Sequence, residues 1–380
     1  MTEFDNSLKI GILGGGQLGK MLIQSALDLD LEIHSLDGDG ESPCSKIAHY
    51  FTQGSITDYQ TVYNWGKDLD VITIEIENVS VEALHDLQKL GKKIFPQPEV
   101  IEIIKDKVIQ KQFFKDNGIA TADFVIVNNH TEISNHISFL PAVNKLGVGG
   151  YDGKGVQILR NEADIEKGFE GRGILEKLID FEKELAVIIA RSESGKISAF
   201  PVVEMVFHPE ANLVEYLFSP ASISPEIETK AIELAKMTAE KIGIVGLLAV
   251  ELFLTKDGEV LVNEVAPRPH NSGHQTQKGN FTSQFDQHLR AILDLPFGNT
   301  QNIMPSAMVN LLGEAGYEGV VKYKGLERIL SVENIFPFFY GKKITKPYRK
   351  MGHVTILDSD FDKLTEKVNF VKENLKVISK

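Results

Sequence analysis

The apolar positions change their period several times along the chain, and each change marks an element. The run KIGIL at 9–13 leads into QLGKMLIQSALDLD, whose apolar residues recur at helical spacing. The pair reads as a buried strand followed by a helix. Runs at 31–37 (LEIHSLD), 70–76 (DVITIEI) and 92–96 (KKIFP) repeat the theme, with helical patterns between them. Strands alternating with helices predict a parallel sheet, and this first unit ends near residue 100. A helix around KDKVIQKQFFKDNG, closed by Gly118, follows it; most of the lysines at 105, 107, 111 and 115 are expected on a solvated face.

From residue 139 the pattern shortens. FLPAVNKLGVGGYDGKGVQIL gives strand, glycine-rich loop, strand, and GILEKLI and KELAVIIA are read as strands of the same unit. Together they predict a small α+β lid of about 70 residues. SPEIETKAIELAKMTAEKIG predicts a helix, with Ser224 as N-cap, Pro225 at the first position and Gly243 closing it. Its apolar stripe is Ile227, Ala231, Leu234, Ala235 and Ile242, with Thr238 the one polar member. SQFDQHLRAILDL is a second amphipathic helix, and from about 305 short strands follow: SAMVNLL, RILSV and KMGHVTIL. The chain divides into 1–105, a parallel α/β unit expected to bind substrate phosphate; 106–190, a lid; 191–300, a central unit with a metal site; and 301–380, a β-rich portion.

The stretch LLAVELFLTKDGEVLVNEVA carries the first candidate chemistry. Two apolar strands flank KDGE, which reads as a hairpin with an Asp257–Gly258 turn. Counting outward, Lys256 faces Glu259, Leu254 faces Leu261, Leu252 faces Asn263 and Glu251 faces Glu264. Two opposed carboxylates among apolar neighbours repel each other, and a divalent cation between them converts repulsion into binding. Magnesium suits such a pair, because it takes one or two carboxylates plus phosphate oxygens. A solvated sheet rim is the alternative, since a one-residue slip separates the two acids.

Other constellations point the same way, each with a bland alternative. In NKLGVGGYDGKG, Lys145 at a strand end and a glycine-rich hairpin are suited to covering a triphosphate, or they form an ordinary turn. APRPHNSGH sets Arg268, His270, Asn271, Ser272 and His274 within ten residues of Glu264, in a loop that two prolines keep non-helical. YGKKITKPYRKMGH gathers Lys342, Lys343, Lys346, Arg349 and Lys350, an anion site or a solvated basic strand. Gly14, Gly16 and Gly19 spell the dinucleotide fingerprint, and Asp37 stands about 20 residues further on, where a ribose-binding acid belongs. Against a dinucleotide enzyme, no second mononucleotide-binding half follows.

Composition narrows the classes. The 380 residues are 42% hydrophobic and 24% charged with a net charge of -13, so a phosphate-backbone binder, which needs a basic face, is disfavoured. No apolar run reaches the length of a membrane span, and the N-terminal stretch MTEFDNSLK lacks the pattern of a signal peptide. The single cysteine, Cys44, excludes internal disulfides and cysteine metal cages and reads as a structural thiol. A cytoplasmic enzyme is expected.

GGGQLGKM, GGYDGKG, NEVAPRPHNSGH, SQFDQHLRAILDLP and RKMGH resemble, in order and spacing, segments of the ATP-grasp enzymes of purine synthesis, from about Ile10 to His353. The resemblance implies an ATP-grasp fold of α/β and α+β units, with an N-terminal parallel-sheet (pre-ATP-grasp) domain and a small C-terminal β-rich domain. It implies an ATP- and bicarbonate-dependent ligase that carboxylates the exocyclic amine of 5-aminoimidazole ribonucleotide through carboxyphosphate, giving ADP and phosphate. Another ATP-grasp ligase or transformylase is the alternative. Mg²⁺ is the implied cofactor, the partners are small molecules rather than nucleic acid or membrane, and the assembly is a homodimer.

Carried over by position, Lys107 and Lys145 resemble phosphate contacts, and Gly150, Tyr151, Asp152, Gly153, Lys154, Gly155 and Val156 the lid loop. Glu176, Lys177, Leu178 and Ile179 match a hinge that holds adenine through backbone groups; Glu184 matches the acid on the ribose hydroxyls. Glu251 and Glu264, with Asn263 beside them, match magnesium carboxylates. Tyr151 and Asp152 resemble the pair near the acceptor amine, with Asp152 the proton carrier, while His270 and Asn271 line the pocket. Lys342 and Arg349 resemble the holders of the ribonucleotide phosphate, with the backbone at Gln17 and Leu18 and with Ser35; Glu75 resembles a ribose contact. Departures stand at Leu146, Gly147 and Val148, where many relatives carry arginines, and at Gln275 in place of Trp. The histidine of PVVEMVFHPE comes one place late, leaving Phe207 and His208 as alternative nucleotide contacts, and an extra residue in KKITKPYRK leaves Lys342 and Lys343 as alternatives.

Overall fold

The computed structural model describes residues 5–150, 155–209 and 213–380. Its first unit is a five-stranded parallel sheet in the order β3-β2-β1-β4-β5. The strands are β1 (Lys9–Leu13), β2 (Glu32–Asp37), β3 (Tyr50–Gln53), β4 (Val71–Ile74) and β5 (Lys93–Ile94). Helices α1 (Gln17–Leu27), α2 (Tyr59–Gly66), α3 (Val81–Lys89) and α4 (Pro98–Lys105) connect and follow them. Strands β1 and β4 are buried almost throughout, as both-face coverage requires. The exposed strand β3 has no apolar run to announce it. DVITIEI is a strand only as far as Ile74, so Glu75 turns back toward the first glycine loop.

Asp106 ends α4 and begins α5 (Lys107–Asp116): its extended backbone breaks the helix and its carboxylate accepts from Val108 N at 2.8 Å. The lid sheet runs β6-β9-β7-β8, with β6 (Phe124–Val127), β7 (Ala142–Leu146), β8 (Val156–Leu159) and β9 (Gly173–Lys177). Lys183–Ala190, expected in that sheet, instead belongs to β10 (Phe181–Arg191) of a larger one. The continuous burial of residues 185–190 reflects coverage on both faces, which a small two-layer lid cannot supply.

The large sheet has nine strands, in the order β15-β14-β10-β12-β13-β16-β20-β18, with β11 pairing β10. They are β10, β11 (Ile197–Ala199), β12 (Val203–Phe207), β13 (Val214–Ser219), β14 (Gly246–Thr255), β15 (Val260–Ala266), β16 (Ser306–Leu312), β18 (Ile335–Phe339) and β20 (Lys350–Leu357). A small sheet joins β17 (Gly319–Lys324) to β19 (Ile344–Thr345) and β21 (Lys376–Ser379). Helix α6 (Pro225–Ile242) follows its prediction: Ser224 Oγ accepts from Ile227 N and Gly243 closes it at φ 74°. Its stripe, Thr238 included, packs into the core beneath β10, β14 and β15. Further α-helices are α7 (Thr276–Gly279), α8 (Gln284–Ile292), α9 (Leu326–Leu330) and α10 (Phe361–Asn374). RILSV, expected as a strand, falls in α9 and its end. Ile329 alone is fully buried there while Leu330 is exposed, so the alternation a strand needs is absent.

A second core joins the first unit to the rest of the molecule. Ile10, Ile12 and Phe95 pack with Val245, with Phe285, Leu289 and Ile292 of α8, and with Tyr340. Polar ties accompany it: Thr73 Oγ1 lies 2.8 Å from His288 Nε2, and Gln97 bonds both Gly243 O and Val245 N. Among the described residues no helix is long and apolar enough to cross a membrane.

Candidate active site

The β14–β15 hairpin brings Glu251 and Glu264 opposite each other, by a route the residue count missed. The turn holds three residues, with Thr255 N donating to Glu259 O and Gly258 at φ 79°. Loops of this length with a left-handed third residue are a common hairpin closure. Leu254 therefore pairs with Val260 and Leu252 with Val262, one step off the expected register. A bulge at Asn263 then adds one residue on β15 and restores Glu251 opposite Glu264. Without it Glu264 would point into the apolar core that holds Val262 and Val265.

Lys107 of α5 ion-pairs with Glu264, and His270 Nε2 lies 3.4 Å from Glu251 Oε1. Lys107 holds the Glu264 carboxyl well below the usual range. Burial, then the neighbouring Glu264, pushes Glu251 up. Burial opposes the charge on Lys107, yet Glu264, Glu176 and Glu251 together raise its pKa. Glu184 of β10 faces the same space; burial, with Glu264 adding to it, lifts its pKa to about 7. Among the described residues no group of three or more His, Cys, Asp or Glu forms a closed metal cage. Two opposed carboxylates are hard oxygen donors with room for phosphate oxygens, a set that fits Mg²⁺. The Glu264 side chain, 39% exposed, is open to such an ion.

Lys145 reaches the site from the lid strand β7: its Nζ donates to Asn263 Oδ1 at 2.9 Å and ion-pairs with Glu176 Oε2 at 2.7 Å. Glu176 Oε1 ion-pairs with Lys111 at 2.6 Å. Lys111, one of four lysines of which most were expected on a solvated face, is 2% exposed. It stands where the stripe Val108–Lys111–Phe114 calls for a hydrophobe, and that interruption was the signal available in the sequence. Lys105 and Lys115 are exposed as expected. Glu176, grouped with the hinge, directs its side chain to these two lysines, while Leu178 and Ile179 lead from β9 toward β10; Lys177 turns outward over Phe139. Val156 pairs with Lys145, and Gly155, at φ 76°, accepts from Leu146 N. Gly150 approaches that turn, and Tyr151, Asp152, Gly153 and Lys154 lie outside the described residues.

The glycine turn after β1 departs from expectation. Gly15 N donates to Asp37 Oδ2 at 2.7 Å, Gly19 N to Glu75 Oε2 at 2.6 Å, and Gly16 N to the other Glu75 oxygen. The donors that would cradle a phosphate are occupied by the chain's own carboxylates, and a phosphate there would meet two acids. Enclosure pushes the Glu75 pKa up, with the two backbone donors working against it. The N–H groups of Gln17 and Leu18 have no partner among the described residues. Ser35 is fully buried and donates to Gly14 O at 3.2 Å, so it shapes the turn from behind. Cys44, also buried, has its thiol pKa raised by that burial, in keeping with a structural role.

The polar loop after β15 is fixed rather than solvated. His270 Nδ1 lies 2.9 Å from Ser272 Oγ, Arg268 Nε is 2.9 Å from Glu77, and Asn271 exchanges two amide hydrogen bonds with Asn310. His274, with its pKa lowered by burial, packs against His353 and Phe285. In the basic segment, Lys343 ion-pairs with Glu41, while Lys342 Nζ donates to Lys350 O at 3.0 Å and Arg349 to Ile344 O at 2.6 Å. Lys20, passed over in the sequence, donates from α1 to Phe339 O at 2.9 Å and stands beside Gly341, next to Lys342. His208 meets Tyr348 edge-on, with centroids 5.7 Å apart, beside Arg349.

Comparison with known proteins agrees with this architecture. Residues 7–105 match the ribonucleotide synthetase preATP-grasp domain, 112–285 the ATP-grasp domain, and 306–367 the phosphoribosylaminoimidazole carboxylase C-terminal domain. An N5-carboxyaminoimidazole ribonucleotide synthase of Bacillus subtilis is 38% identical over 366 residues, 94% of each chain. The crystal structure of N5-carboxyaminoimidazole ribonucleotide synthetase from Thermotoga maritima superposes with a TM-score of 0.90 at 42% identity, covering 98% of this chain and 100% of that one. An Aspergillus clavatus N5-carboxyaminoimidazole synthase, in complex with ADP and the aminoimidazole ribonucleotide, does so at 0.88 and 32%, covering 97% and 98%.

Proposed function

The chain belongs to the N5-carboxyaminoimidazole ribonucleotide synthase family of ATP-grasp ligases, and from that premise we propose how its residues divide the work. It is a ligase that uses ATP to carboxylate 5-aminoimidazole ribonucleotide in purine biosynthesis. The observation that carries the assignment of roles is the convergence of Lys107 and Lys145, from two different elements, on the opposed pair Glu251 and Glu264.

In this reading ATP lies between the lid and the large sheet. Lys145 and Lys107 meet the phosphates, the backbone from Glu176 to Ile179 holds adenine, and Glu184 takes the ribose hydroxyls. His208 and Asn263 border the same nucleotide. Mg²⁺ bound by Glu251 and Glu264 would neutralise charge on the transferring phosphoryl group. Lys107 gives up Glu264 when the loaded nucleotide arrives and pairs with phosphate instead, since one ammonium cannot satisfy both at full strength. Bicarbonate is the species phosphorylated, to carboxyphosphate. That mixed anhydride is short-lived in water, so the step needs a site from which water is excluded. Tyr151 and Asp152 act at the acceptor amine, Asp152 taking its proton.

The ribonucleotide extends from His270 and Asn271 toward the first unit. Lys342 and Arg349 hold its phosphate, and Lys20 adds positive charge beside Lys342. Glu75 and the N–H groups of Gln17 and Leu18 face its sugar, while Ser35 supports the turn. A homodimer in the cytoplasm completes the reading, and the solution mass checks the assembly. The test of function is ADP release with each substrate omitted in turn. Release should require magnesium, bicarbonate and the aminoimidazole ribonucleotide together; equal release with formate would overturn it.

A further inference from the structure

We propose that Lys111 is a positioning residue of the ATP site, holding Glu176 so that its carboxylate does not draw Lys145 away from the triphosphate. The inference rests on the reading of Lys145 as a phosphate ligand. Lys111 itself is 2% exposed and lies behind Glu176, so it cannot touch nucleotide.

The contacts form a closed circuit. Lys111 ion-pairs with Glu176 Oε1, and Glu176 Oε2 with Lys145. Lys145 donates to Asn263 Oδ1 at 2.9 Å, and Asn263 follows Val262 on β15. Val262 O accepts from Thr121 Oγ1 at 2.6 Å, and Thr121 Oγ1 accepts from Lys111 Nζ. The ring thus ties α5, the lid strands β7 and β9, and the strand that carries Glu264. Burial lowers the Lys111 pKa to about 8, and Glu176 opposes that shift. A buried ion pair is a poor way to gain stability, and an apolar side chain of similar volume often does as well. What the ammonium supplies that an apolar side chain does not is half of the claim on Glu176. Without it, one full carboxylate faces Lys145 alone and competes with phosphate for it.

The test compares Lys145→Met, Lys111→Met and the double variant Lys111→Met/Glu176→Gln. It reads ATP KM and kcat at saturating bicarbonate and ribonucleotide, with thermal unfolding in parallel. Lys145→Met should raise ATP KM strongly; no effect there would overturn the phosphate reading and this inference with it. Lys111→Met should raise ATP KM about tenfold, the scale of one charge-assisted contact, with a smaller change in kcat. The double variant should recover most of that loss, because no unpaired carboxylate remains. It should also fold even if Lys111→Met alone does not, since the buried charge has left with its partner. A packing role predicts the opposite, with the double variant as impaired as Lys111→Met or worse, and that result overturns the proposal. So does a wild-type ATP KM in Lys111→Met when Lys145→Met is impaired.

Discussion

Glu264 and Glu251 are two identical side chains drawn apart by their neighbours: Lys107 lowers the pKa of the first, while burial and Glu264 itself raise that of the second. A pair poised this way accepts a dication without first losing two protons. Replacing Glu264 with Gln removes the ionised member. The ion pair with Lys107 is exposed enough on the Glu264 side that its loss should cost only about 1 kcal/mol of stability or less. Turnover should fall by a factor of about a hundred or more, the scale seen when a preorganised charge contact is removed from a reacting group. Normal turnover with an unchanged circular-dichroism spectrum would remove the metal role from this residue. Lys111 is a buried lysine in an otherwise apolar stripe. Its type alone suggested solvent, and only its place in the stripe with Val108 and Phe114 indicated otherwise.

Most elements were legible because they obey one period throughout. Helix α6 has its cap, its proline, its stripe and its closing glycine in the expected places, and β1, β16 and β20 fall where their apolar runs predict. The hairpin shows how a correct pairing can arise from an incomplete count. A longer turn shifts the register by one and the bulge at Asn263 shifts it back, and neither leaves a mark in the alternation of apolar residues. What the sequence withheld depends on contacts between elements far apart in the chain: the circuit through Thr121, and the meeting of Glu75 with the glycine turn. The bulge makes a prediction of its own. Deleting Asn263 should leave Glu251 and Glu264 opposed, since a regular ladder from Leu252–Val262 onward then places them together. Mn²⁺ binding, followed by titration with the metal alone, should survive, while ATP KM should rise through loss of the Lys145 partner. Loss of Mn²⁺ binding would show that the kink, rather than the register, aims Glu264.

The first unit and the large sheet share a core, and histidines sit inside the joins. His288 bonds Thr73 across them, and His353 lies beneath Tyr340; burial depresses both to about 3. The unfolded chain takes up a proton on each near pH 6.5 while the native state does not, so stability is full above that pH and falls as the pH drops toward 3. By pH 5 each should have cost about 2 kcal/mol relative to pH 8, a value set by the unfolded pKa and insensitive to how far the native one is depressed. The denaturant midpoint should fall accordingly between pH 8 and 5, and His288→Gln should flatten that slope; an unchanged slope would mean the ring is already protonated in the native state. The shared core also means that the first unit should unfold together with the large sheet. Within that unit, Asp37 and Glu75 reverse the polarity of a motif that elsewhere attracts anions. A strand, a glycine turn and a helix here turn three of their N–H groups onto carboxylates of the same chain, where other proteins leave them to a ligand. One acid placed a residue beyond the end of β4 thereby plugs two sockets of an anion cradle with the chain's own oxygens.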